Sequence, residues 1–129
     1  MSPRSTLRLL DDILNAITRI RAYRATDPGV PVDLAADAIL RRLAIIGEAA
    51  AQLGAAERAL AADVPWGDII GLRNRVAHDY DEIDWAIIDD VIDNDLESLA
   101  RQVTALRALQ AREQVAEHVE GNSDAEQLS

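Results

Sequence analysis

The chain of 129 residues contains no cysteine, no lysine and no phenylalanine. Without cysteine there is no disulfide scaffold, no thiolate zinc site and no cysteine nucleophile, and the cytoplasm is the expected compartment. Aromatic residues make up 3% of the chain, which disfavours a β-rich sandwich and leaves alanine, leucine and isoleucine to pack the core. No uninterrupted apolar run approaches the roughly 20 residues of a membrane span. Arg4 and Arg8 fall inside a helical pattern instead of preceding a signal-type apolar block, so no membrane association and no export are expected.

What is present fits one domain with a single core. The chain is 49% hydrophobic and 28% charged, within the range of globular proteins. Its net charge of −10 argues at first against nucleic acid, because phosphate is drawn to lysine and arginine. The distribution changes that reading. Residues 1–80 hold ten arginines and ten acidic residues, whereas residues 81–129 hold three arginines and thirteen acids, so the whole excess is C-terminal. Exclusive use of arginine fits either a coding bias or a preference for the planar fork that grips phosphate.

Helical periodicity dominates. Leu10, Ile13, Leu14, Ile17, Ile20 and Tyr23 mark a first amphipathic helix from Thr6 to about Ala25, broken by Asp27, Pro28, Gly29 and Pro31. Asp33 is placed to cap a second helix carrying Ile39, Leu40, Leu43, Ile46, Ala50 and Leu53, with Gly54 as its stop. A short helical stretch, 55–62, leads to Pro65 in the first turn of a third helix with Trp66, Ile69 and Ile70. Asp84 caps a fourth, whose stripe is Ile87, Ile88, Val91, Leu96, Leu99, Val103 and Leu106 and whose Glu97 can pair with Arg101. Past Arg112 the stripe fades into an acidic segment expected to fray. The expectation is an all-α bundle of four main helices plus a short one, with residues 1–113 as the domain and 114–129 as an acidic tail.

Chemistry concentrates at the end of the third helix, in Arg73-Asn74-Arg75-Val76-Ala77-His78-Asp79-Tyr80. Arg73 lies about 20° from Trp66 on the apolar stripe, so a guanidinium takes a slot that the pattern reserves for a hydrophobe. A buried arginine needs a partner. Glu48, in Ile45-Ile46-Gly47-Glu48, also lacks a basic residue three or four positions away, and Gly47 would let another helix come close. A Glu48–Arg73 pair between the second and third helices follows, serving either structure alone or a site. His78 lies five residues after Arg73, about 140° around an ideal helix. The two converge only if the helix ends near Ala77 and the turn swings His78 back, or if they meet across a two-fold dimer interface.

These residue types suit RNA cleavage without a metal. His78 can take the 2′-hydroxyl proton near neutral pH, and Arg73 or Arg75 can hold the phosphate. Asn74 can donate to a non-bridging oxygen or orient the imidazole. Tyr80 offers a proton donor, a phosphate hydrogen bond or a stacking ring, and equally a rim aromatic that seals the bundle.

The Arg-x-x-x-x-His-x-Tyr run, with Asn74 after the arginine, resembles the signature of HEPN ribonucleases, specifically the HepT-like toxins of HepT/MntA toxin–antitoxin modules. The resemblance covers about residues 5–110 and includes the 45–49 block and Pro65-Trp66. It implies a homodimer whose two motifs share a cleft, and a metal-independent, cofactor-free endoribonuclease that inhibits growth by cutting RNA. It further implies that Arg73 and His78 are the catalytic pair and Asn74 an accessory polar residue, and the reading of the residues themselves adds Arg75, Tyr80 and Glu48 in support. Tyr80 matches the tyrosine adenylylated by an MntA-type nucleotidyltransferase antitoxin, making the chain an AMP-modified phosphoprotein. A bulky anion beside His78 would occupy the place of the substrate phosphate.

Other features carry competing readings. Asp89 and Asp93, near Asp90 and Asp95, are either a divalent-cation face or a solvated acidic one. Arg19, Arg21, Arg24, Arg41 and Arg42 could guide an RNA backbone, or Arg21 and Arg24 could answer a helix dipole. His118 sits in the polar tail. Against the nuclease stands a non-catalytic helical adaptor, or a dimerisation module, that binds a nucleotide or a nucleotidyltransferase without cutting RNA.

Overall fold

The structure, a computed structural model, describes the backbone of residues 3–25, 32–78 and 83–128 and the side chains of 5–25, 33–76 and 83–119. The expected breakers Asp27 to Pro31, and Asp79, Tyr80 and Asp81, lie outside the described residues, as does the side chain of His78. Among the described residues there is no strand. The elements are α1 (Pro3–Arg24), α2 (Val32–Gln52), the short α3 (Ala55–Ala59), α4 (Trp66–His78), α5 (Trp85–Asp90), a π-helical turn (Val91–Asp95) and α6 (Leu96–Leu128). The last three are continuous, so the molecule is the all-α bundle of four main helices and a short one that periodicity indicated.

α1 packs on both α2 and α6, and α2 packs on α4. Leu10, Ile13, Ile17 and Ile20 of α1 meet Leu43, Ile46 and Ala50 of α2, with Leu96, Leu99, Val103 and Leu106 of α6 closing the core. Burial of one such side chain contributes about 1.5–3 kcal/mol. Thr6 and Gln110 are the buried polar residues, and no buried side-chain nitrogen or oxygen among the described residues lacks a hydrogen-bond partner. Arg24 pairs with Asp93, and Asp11 pairs with Arg107, so α1 and α6 run antiparallel. Glu97 and Arg101 pair along α6 at 3.3 Å. No described helix is long and apolar enough to cross a membrane.

The helix ends differ from expectation in instructive ways. Asp33 lies inside the first turn of α2 rather than at its cap, where its carboxylate still opposes the positive end of the helix dipole. Gly54 does not close α2 in a left-handed conformation. It is extended, with φ −66° and ψ 156°, and serves as the N-cap of α3. α3 stops at Ala59, short of the expected 62. Pro65 sits just before α4, its carbonyl accepting the Ile69 amide at 3.0 Å. Asp84 does cap α5, accepting the Ala86 amide at 3.0 Å.

The long stripe is also revised. Ile92, absent from the expected set, is buried, while Ile87 is exposed and Val91 half-buried. Ile88, Ile92 and Leu96 recur every four residues, a spacing that drifts about 80° over two turns of an α-helix. The π-turn inserts the extra residue that keeps them on one face. The backbone remains helical to Leu128, beyond the point where the stripe fades, and residues 112–119 are exposed.

The entry to α4 is pinned by Trp66. Its indole Nε1–H donates to the carbonyls of both Arg58 and Ala61 at 3.0 Å, tying the end of α3 to the start of α4. Replacing Trp66 by Phe keeps most of the packing and removes this donor, so thermal denaturation should show a loss of about 1 kcal/mol, a few degrees in Tm.

Candidate active site

α4 is seated against α2 at one point of close approach. A Cβ added to Gly47 would stand 2.9 Å from the Arg73 amide nitrogen, 3.0 Å from the Ile69 carbonyl oxygen and 3.2 Å from the Arg73 Cβ. Only glycine admits the α4 backbone at this distance. Ile69 and Leu72 turn into the core on either side, which sends the Arg73 side chain along the α2 surface.

There Arg73 Nη1 donates to Glu48 Oε2 at 2.9 Å, the pair expected from the two unmatched charges. It is not a buried pair, however. The Arg73 and Glu48 side chains are 39% and 54% exposed, because the aliphatic stem of an arginine can cover an apolar stripe while its head reaches water. Gln52, one turn on from Glu48, donates Nε2 to Glu48 Oε1 at 3.4 Å. This second support was missed, although the i,i+4 Glu–Gln spacing was available to read. The hydrogen bond from Arg73, then that from Gln52, then the Arg73 charge hold the Glu48 carboxyl below its ordinary pKa.

The pair lies at the side of an open cleft of about 580 Å³ between α2 and α4. Ala44, Ile45 and Val76 give it a half-buried apolar floor, and Arg41 and Asp37 add charge about two and three turns from Glu48. Among the described residues one N–H of Arg73, on Nη1, is engaged by Glu48, and the guanidinium carries five in all. Such a cleft can bind an oxyanion against a guanidinium fixed by a second-layer carboxylate.

The other motif residues are distributed around α4. Asn74 and Arg75 are exposed, and Arg75 lines a different groove, facing the π-turn, so it does not share the Arg73 cleft. α4 includes His78 as its last residue. The helix thus reaches one residue past Ala77, and on its backbone positions 73 and 78 are about 140° apart. Arg21 lines a third groove along α6, away from the cleft. Arg24 pairs with Asp93 and lies 3.7 Å from Asp89, so the acidic face takes its counter-charge from α1. Asp90 accepts a hydrogen bond from Asn94 Nδ2 at 2.7 Å. Among the described residues no group of three or more His, Cys, Asp or Glu has the arrangement to hold a metal ion.

Two measurements test this construction. Gly47→Ala should cost about 1–3 kcal/mol in denaturant unfolding, because the clash falls on backbone that cannot rotate away. Glu48 should titrate below the usual glutamate value of about 4.3 in carboxyl NMR. With the folded value depressed, the stabilisation from the pair is complete above the unfolded pKa and disappears as pH falls through the folded one. Arg73→Gln should return Glu48 toward its ordinary value.

Residues 13–106 match the family described as HepT-like, "Ribonuclease HepT-like". Two relatives are "Putative RNase MJ1380" of Methanocaldococcus jannaschii, 33% identical over 66 residues, and "Putative RNase TTE0752" of Caldanaerobacter subterraneus subsp. tengcongensis, 36% identical over 66 residues. Each match covers 51% of this chain and 61% or 59% of the relative, so the chain spans about three-fifths of the relatives' length. No solved structure gives a significant match. The family match spans the α2–α4 cleft and the whole of α4, and the chain belongs to the HepT-like ribonuclease family.

Proposed function

We propose that this chain is a metal-independent endoribonuclease of the HEPN type, acting as the toxin of a toxin–antitoxin module in the cytoplasm. The observation that carries the proposal is the Arg73 guanidinium, set at an open cleft by Glu48 at 2.9 Å, at the first position of the Arg-x4-His run. The family match supports RNA as the substrate. Residues 1–113 form the catalytic domain in this proposal, and 114–129 an acidic appendage.

His78 accepts the proton of the ribose 2′-hydroxyl as that oxygen attacks phosphorus. The P–O5′ bond breaks, a 2′,3′-cyclic phosphate forms, and the leaving 5′-oxygen takes up a proton from an acid in the site or from water. Arg73 stabilises the charge that grows on the non-bridging oxygens, with Asn74 as an added donor. Arg75, on the groove facing the π-turn, supports from a distance as a cation for the rest of the RNA backbone. Because α4 continues unbroken to His78, positions 73 and 78 of one copy diverge around the helix. In the proposed homodimer each cleft is completed by His78 from the second copy. Tyr80 follows α4 and is the proposed site of adenylylation by an MntA-type nucleotidyltransferase, which would place a negative phosphate where substrate must bind.

The purified chain should cleave single-stranded RNA in the presence of a chelator. Arg73→Ala and His78→Ala should each lower the rate by at least about 10²-fold while leaving the helical content intact, as measured by circular dichroism. An RNA-inactive wild-type chain that binds a nucleotidyltransferase would instead support the adaptor reading. Co-expression with the nucleotidyltransferase should add the mass of AMP to the wild type and not to Tyr80→Phe.

A further inference from the structure

A second concavity lies on the other side of α4. It has a volume of about 320 Å³ and is formed by Gly67, Asp68, Gly71 and Arg75 on α4 and by Val91 and Asp95 of the π-turn. Nothing lies within 4 Å of a Cβ built on Gly67 or Gly71, so the α4 backbone faces open space beside Asp68 and again between Asp68 and Arg75. Asp68 and Arg75 are seven residues apart. That spacing puts them on one face of α4, about 20° out of line and about 10 Å apart along the axis. Among the described residues the ion pairs engage Arg24, Arg73, Arg101 and Arg107, and Arg75 is in none of them despite two carboxylates lining the same pocket.

A guanidinium at one end, carboxylates elsewhere and unobstructed backbone at Gly71 between them match one nucleotide laid along the helix. Arg75 lies one turn before position 78, so the phosphate it can hold is a neighbour of the one cleaved at the catalytic pair. The base then reaches Asp68. Ionised carboxylates only accept hydrogen bonds. Guanine is the RNA base whose Watson–Crick edge offers two adjacent donors, N1–H and the N2 amino group. Adenine and cytosine present one donor beside an acceptor, and uracil presents one donor between two carbonyls, each of which sets a lone pair against the carboxylate. Asp95 on the opposite wall adds a second acceptor, and Val91 adds apolar surface for the base.

We infer that the pocket between α4 and the π-turn is a nucleotide subsite that selects a guanosine next to the scissile linkage, with Arg75 on its phosphate and Asp68 on its base edge. This rests on the ribonuclease reading for its biological use, and its binding chemistry is testable without it.

The test is NMR titration of the full ¹⁵N-labelled chain with guanosine 3′-monophosphate and with its adenosine, cytidine and uridine counterparts. Guanosine monophosphate should shift the amides of Gly67 and Gly71 and bind about tenfold more tightly than the other three. Asp68→Asn should abolish that preference. Gly71→Leu, whose Cβ meets nothing within 4 Å, should block binding altogether while circular dichroism keeps the wild-type helical content. Equal affinity for the four nucleotides, shifts confined to the α2–α4 cleft, no binding at all, or unchanged binding by Gly71→Leu would each overturn the assignment. RNA cleavage is scored separately. Cleavage without guanosine binding removes the subsite and leaves the nuclease, whereas guanosine binding at this pocket without cleavage removes the nuclease and leaves the subsite.

Discussion

The contact of Gly47 with the backbone of α4 is the constraint on which the site depends. Removing one Cβ lets the Arg73 amide and the Ile69 carbonyl lie against α2, and that approach fixes the register between the two helices. With the register set, the next residue along α2 after Gly47, Glu48, meets the Arg73 guanidinium. Trp66 secures the other end of the same helix through two carbonyls. An arginine on an amphipathic helix is ordinarily free to sample many rotamers. Here its stem is laid along α2 and its head is held by a carboxylate that Gln52 steadies in turn. The energy of such a half-exposed pair is modest, and its value lies in fixing the direction of the donors that remain.

The same economy appears at the contact of α1 with the long C-terminal helix. Arg24 meets Asp93 and Asp89 at one end of α1, and Asp11 meets Arg107 farther along. The chain's acidic excess is C-terminal, and part of it is answered by an arginine contributed from the N-terminal half. The α2–α4 cleft carries Arg41 and Arg73 against Asp37 and Glu48, so it is charge-balanced and escapes the general negative bias. In the proposed reading this is the side from which an RNA backbone can approach.

The fold was largely legible, because long helices of alanine, leucine and isoleucine leave little doubt about period. The Glu48–Arg73 pair was legible for a different reason. Each residue broke its own helix pattern, and two violations of opposite sign point at one another. What the sequence concealed were features set by three-dimensional register. Ile92 replaced Ile87 and Val91 in the core because the π-turn adds a residue to one turn, and nothing in the local composition marks that insertion. The exposure of the pair was misjudged because periodicity locates Cβ atoms and not the end of a long side chain. Arg24 as counter-ion to Asp93 spans 69 residues of chain and could not be read from spacing. Gly54 was read as a helix stop, whereas its extended backbone starts the next helix.

In the proposed homodimer, Arg73 of one copy and His78 of the other form one catalytic centre. Mixing purified Arg73→Ala and His78→Ala chains under conditions that allow subunit exchange tests it directly. Random exchange makes half of the dimers mixed, each with one intact cleft, so RNA cleavage should recover to about a quarter of the wild-type rate from two inactive parents. Mixed dimers that form, as verified by native mass spectrometry, and remain inactive would contradict it.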